Sequence, residues 1–176
     1  LPISTYFDFD DERLYEIAEK ASFLGIEMFV LDDGWFGHRD SDNSSLGDWF
    51  VNSSKLKKGL PDLVRKIKKL GLKFGIWFEP EMVSPDSDLF RAHPEWCLGA
   101  EGRTMSLGRN QYVADMTRKD VRDYLFNTIS EIVRSADIDY IKWDFNRYLT
   151  EVGSTMLPVE RQQETSHRFI LGTYEL

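Results

Sequence analysis

The sequence predicts an α/β fold in which helices cover a parallel sheet, and three observations carry that prediction. Short apolar runs alternate with helical patterns along the chain. The links from helix to strand are tight, with Leu70-Gly71-Leu72 leaving almost no loop. The links from strand to helix are long, spanning residues 32–59 and 79–111. In α/β folds ligands bind outside the carboxyl ends of the strands, so both long loops mark one functional face.

Taken in order, the first run is Thr5–Phe9, read as a strand. A helix follows, with Asp10 as N-cap and Leu14, Ile17, Ala18 and Ala21 on one face. Run two is Ile26–Leu31, which leads into Asp32-Asp33-Gly34. The second helix starts near Pro61, carries Leu63, Val64, Ile67 and Leu70, and stops at Gly71. Run three is Leu72–Phe78, and Tyr112–Met116 reads as a short extra strand. Thr117 is the expected cap of a long helix carrying Val121, Tyr124, Leu125, Ile129, Ile132 and Val133. Run four is Tyr140–Phe145, and a weaker helix runs from near Pro158 to the end. A β-α pair repeated about four times implies a parallel sheet.

Composition narrows the function classes. With 176 residues, 41% hydrophobic, the chain suits one globular domain spanning 1–176. No apolar run approaches the roughly 20 residues that a membrane helix needs. A net charge of −8 argues against nucleic acid and anionic membrane as partners. The single Cys97 and the absence of a signal-peptide pattern fit a reducing, cytoplasmic setting. Position 1 is Leu rather than Met, which points to a chain cut from something longer. His38, His93 and His167 lack metal-ligand spacing, so neither a metal nor a cofactor is expected.

The chemistry concentrates where runs end. Side chains alternate along a strand, so Tyr140, Lys142 and Asp144 share one face and Ile141 and Trp143 the other. Positions i and i+2 lie roughly 6.5–7 Å apart. Lys142 is therefore expected to hold Asp144 ionised, suited to nucleophilic or electrostatic work; a structural ion pair is the alternative. Run two ends in Asp32 and Asp33 and run three in Glu79. Carboxylates there can accept hydrogen bonds from the vicinal hydroxyls of a sugar. Loop tryptophans Trp35, Trp49 and Trp96 could stack on a pyranose ring or simply pack, whereas Trp77 and Trp143 read as core.

Six segments together, "LDDGWFG" (31–37), "LGDW" (46–49), "GLKFGIWFEPEMV" (71–83), "HPEW" (93–96), "LGRNQYVADMT" (107–117) and "YIKWDFNR" (140–147), resemble the catalytic domain of glycoside hydrolase family 36 α-galactosidases. The resemblance covers nearly the whole chain, motif order included. It implies a (β/α)₈ barrel of the TIM type and retaining hydrolysis of terminal α-galactosides of the melibiose and raffinose type. Residue by residue, it makes Asp144 the nucleophile and Asp32 and Asp33 the pair that binds the galactose 4- and 6-hydroxyls. Trp96, Arg109, Lys142 and Asn146 match positions lining the galactose pocket. The family's acid/base aspartate, in a motif like "GGGRFDPG", has no counterpart here, nor does the cysteine segment that contacts the 2-hydroxyl. The chain is thus expected to hold about four of eight βα units, a half-barrel that is inactive alone and belongs to a homo-oligomeric parent. A galactosyl-transferring or N-acetylgalactosaminidase relative, and a non-catalytic sugar-binding or structural fragment, are the alternatives.

Overall fold

The computed structural model describes residues 5–176, which fall into two compact units. The first comprises the residues up to Ser41, Trp49–Phe78 and Ile129–Asp144; the second comprises Asp42–Asp48, Glu79–Thr128 and Phe145–Leu176.

In the first unit, helix α1 (Asp11–Phe23) is capped as the sequence predicts. The Asp10 carboxylate accepts the Arg13 N–H at 2.9 Å, and Asp11 and Glu12 sit in the positive first turn. Leu14, Ala18 and Ala21 are buried. Strand β1 is Met28–Leu31. Helix α2 (Leu60–Lys69) buries Leu60, Leu63, Val64 and Ile67, and Gly71 at φ +84° turns the chain out of it. Strands β2 (Lys73–Phe78) and β5 (Tyr140–Trp143) complete a three-stranded parallel sheet in the order β1-β2-β5. The central β2 is covered on both faces, which explains its unbroken apolar run. Gly75 lets β1 and β5 approach it: a Cβ there would lie 3.0 Å from the Tyr140 ring and 3.1 Å from the Val30 side chain.

In the second unit, β3 (Met82–Val83) pairs antiparallel with β4 (Tyr112–Val113). Helix α3 (Asp88–Ala92) starts on the buried Asp48 carboxylate, which accepts the Asp88 and Leu89 N–H groups at 3.0 and 2.9 Å. Burial pushes that carboxyl above the usual range, against the pull of the two N–H donors. A 3₁₀ turn spans Pro94–Trp96. Helix α4 (Lys119–Ser135), whose residues from Ile129 on belong to the first unit, buries Val121, Leu125, Ile129 and Ile132. A 3₁₀ stretch over Val159–Glu164 precedes helix α5 (Thr165–Glu175). Among the described residues, no helix is long and apolar enough to cross a membrane.

Four expectations need correction. Thr5–Phe9 is no strand: Tyr6 sits at φ +48° and the Asp8 N–H closes a turn on the Thr5 carbonyl at 2.9 Å. The parallel sheet described therefore has three strands rather than four. Thr117 does not cap α4, because its hydroxyl and N–H both turn back to the Asp115 carboxylate, at 2.6 and 3.0 Å. Trp143, read as core, is 40% exposed, because β5 is an outer strand of the sheet.

Candidate active site

Asp32 and Asp144 are the first residues past β1 and β5. Parallel pairing through β2 puts both at the carboxyl end of the sheet. Asp144 extends the ladder by one bond, its N–H donating to the Phe78 carbonyl at 2.8 Å. Its Oδ2 accepts the Trp77 indole N–H at 3.1 Å. The Trp77 carbonyl in turn accepts the Trp35 indole N–H at 2.9 Å. The nucleophile candidate is thus held by a tryptophan that is itself locked into an aromatic cluster with Phe36 and Trp49.

Each of the paired aspartates has its own cation. Lys142 Nζ lies 2.8 Å from Asp32 Oδ2, and Asp32 Oδ1 accepts the Asp33 N–H at 2.9 Å. Arg39 forks onto Asp33, Nε to Oδ1 at 2.9 Å and Nη2 to Oδ2 at 2.8 Å. Lys142 therefore forms its ion pair with Asp32, where the spacing alone assigned it to Asp144. The cause is the register: Lys142 sits two strands from β1 yet on the face that Asp32 reaches. The Asp32, Asp33 and Asp144 carboxylates at this end of the sheet are apt for hydroxyl donors and, where ionised, for an electrophilic carbon. A cavity of about 630 Å³ in the same unit has Asp32, Asp33 and Lys142 in its wall beside apolar Ile17, Met28 and Val30.

The other sequence candidates separate. Trp35 and Trp49 are 0% and 1% exposed, so they belong to the core and present no face to a sugar. Trp96 is half-buried in the second unit, stacked on His93 with ring centres 4.0 Å apart and tilted against Tyr124 at 5.5 Å. Arg109 and Asn110 form the tip of a tight Gly108–Gln111 turn, at φ +52° and +57°. Both central residues in the left-handed region make it a type I′ geometry. Arg109 is exposed. Asn146 has its N–H held by buried Glu79 at 2.7 Å, so that strand-end carboxylate serves the backbone.

Sequence reading missed Arg39, Trp77 and Arg147. Parity carried the signal for Trp77, which is in register with Lys142 and so shares its face. Arg147 is buried, with Nη1 on the Gln111 carbonyl and Nη2 on Thr150 at 2.7 Å; burial lowers its pKa.

Cys97 is 4% exposed, and burial, reinforced by Asp115, pushes its thiol up to about 12. A thiol raised that far from the ordinary 9.0 is almost wholly protonated at pH 8. Iodoacetamide labelling at that pH is expected to be slow in the native protein and rapid in urea; equal rates would show an open site.

A family model described as Melibiase matches residues 3–176. The chain is 57% identical over 173 residues to alpha-galactosidase AgaA of Geobacillus stearothermophilus, covering 98% of this chain and 24% of that protein. The crystal structure of a variant of that GH36 enzyme in complex with raffinose superposes with a TM-score of 0.94 at 57% identity, over 97% of this chain and 24% of the other. A second variant, in complex with stachyose, gives 0.94 at 56% identity and the same coverage. The chain thus spans about a quarter of the length of these relatives.

Proposed function

We propose, from the premise that the chain belongs to the Melibiase family, that it is the nucleophile-bearing part of a retaining α-galactosidase acting on raffinose- and stachyose-type sugars. One observation carries this reading: Asp144 at the end of β5, oriented by the Trp77 indole, beside the Asp32–Lys142 pair. In the proposed mechanism Asp144 attacks the anomeric carbon as the glycosidic C–O bond breaks and the departing oxygen takes a proton from the acid/base; water, deprotonated by that same group, then cleaves the galactosyl ester. Asp32 and Asp33 accept hydrogen bonds from the sugar's 4- and 6-hydroxyls. On the resemblance, Trp96, Arg109 and Asn146 are assigned further galactose contacts. Retention needs a second carboxyl group about 5–5.5 Å from the first. No motif in this sequence matches the family's acid/base, so we assign that role to the longer protein.

The test offers p-nitrophenyl α-D-galactopyranoside to this segment alone and to the full-length protein. Release of nitrophenol by the full-length protein only is expected. Hydrolysis by the segment alone would place the acid/base within these residues, and none by either would leave sugar binding without turnover. Lys142→Met in the full-length protein should lower kcat/KM about 10- to 100-fold, because it strips Asp32 of its cation at a partly exposed position. Unchanged kinetics would remove Lys142 from the site.

Within this reading the sheet is part of a (β/α)₈ barrel completed by further strands. Tyr140, Ile141 and Trp143 on the outer strand β5 are 48%, 37% and 40% exposed, as expected of a surface that another strand covers. Expressed alone, the segment is expected to self-associate in analytical ultracentrifugation; a stable folded monomer would contradict a partial barrel.

A further inference from the structure

Asp33 can read a sugar hydroxyl only if its carboxylate is held in a fixed orientation. We infer that Arg39 is the positioning residue that sets Asp33's orientation, and with it the enzyme's discrimination for one sugar hydroxyl; the inference rests on Asp33 being a substrate ligand.

Arg39 is a guanidinium at 1% exposure, in a loop, where a buried cation is costly unless fully engaged. It meets Asp33 by two parallel N–H···O bonds at 2.8 and 2.9 Å, a fork that fixes the carboxylate plane as well as its place. Its guanidinium carbon stands 5.5 Å from the Phe7 ring centre and 6.0 Å from that of Phe36, so aromatic faces hold the cation laterally. Asp33's side chain is 14% exposed, against 2% for Arg39's. Each carboxylate oxygen engaged by Arg39 retains acceptor capacity, and what exposure the pair has lies on the carboxylate.

The loop is built to return Arg39 to Asp33. Gly37 donates its N–H to the Phe50 carbonyl at 2.8 Å, and the Trp35 carbonyl accepts the Asn52 N–H at 2.9 Å. Lys55, 7% exposed, then staples both ends: its Nζ reaches the Gly34 carbonyl at 3.1 Å and the Arg39 carbonyl at 2.8 Å. Asp40 balances its charge at 2.9 Å. A second buried cation spent on two backbone carbonyls of one short loop is explained if that loop must keep Arg39 in register with Asp33.

The test uses the full-length protein and three substrates: the p-nitrophenyl α-galactoside and its 4-deoxy and 6-deoxy analogues. Asp33→Ala first identifies the hydroxyl that Asp33 reads, as the analogue whose kcat/KM is least affected. Arg39→Met should show the same pattern, losing about 100-fold on the galactoside while changing little on that analogue. Arg39→Lys keeps the charge without the fork and should lose about 10-fold with the same pattern. It carries the test if Arg39→Met does not fold. An equal loss on all three substrates, or a lowered Tm with unchanged substrate ratios, would overturn the inference and leave Arg39 merely structural. If Asp33→Ala itself shows no dependence on the analogue, the reading of Asp33 as a ligand falls, and this inference with it.

Discussion

Asp144→Asn in the full-length protein is expected to lower kcat by about 10⁴- to 10⁶-fold, the range seen when a covalent nucleophile is removed. The substitution is nearly isosteric. The Asn side-chain oxygen can still accept the Trp77 indole N–H, and the backbone N–H still bonds to Phe78. The sheet end should therefore persist, with Tm moving little, while the amide is too weak a nucleophile to form the ester. Steady-state turnover of the nitrophenyl galactoside beside a thermal melt separates the two effects. Near-normal turnover would overturn the nucleophile assignment, whereas lost turnover with a collapsed melt would make Asp144 structural.

Gly172→Ala is expected to produce the largest loss of stability, about 3 kcal/mol. Within a helix, alanine ordinarily gains about 1 kcal/mol over glycine. Here the gain reverses, because a Cβ at position 172 would overlap the Met116 carbonyl oxygen and crowd Arg122, which itself donates to that carbonyl at 2.8 Å. Relieving the overlap means moving α5 or the turn before α4. Tyr174→Ala in the same helix, at a position 81% exposed, serves as control and should stay within about 0.5 kcal/mol. Urea titration of both variants checks the contrast, and a neutral Gly172→Ala would show that α5 is not seated as described.

Periodicity made much of the fold legible. Strand β2 and helices α1 and α2 follow patterns dictated by burial, and Asp10 and Gly71 end their helices for reasons local to a few residues. Thr5–Phe9 failed because its aromatic alternation resembles a strand while Tyr6 turns the chain. Trp143 failed because burial of a strand depends on its place in the sheet order, which no local pattern encodes. In the site, strand-end position exposed Asp32 and Asp144. Partner choice was not legible: Lys142 pairs across two strands to Asp32, and Arg39 folds back through a loop, both set by tertiary register. The six-segment resemblance supplied the family where spacing alone stopped at carboxylates near a sugar.

On the role proposed for Arg109, its turn with Asn110 puts backbone comfort and chemistry at odds. A non-glycine residue at φ +52° carries a conformational penalty of about 1 kcal/mol that glycine would relieve. Selection for heat tolerance alone would thus favour Arg109→Gly, and selection for sugar binding would resist it. Thermostability screens run without an activity readout should accumulate changes at this tip, discarding the guanidinium in exchange for an easier bend.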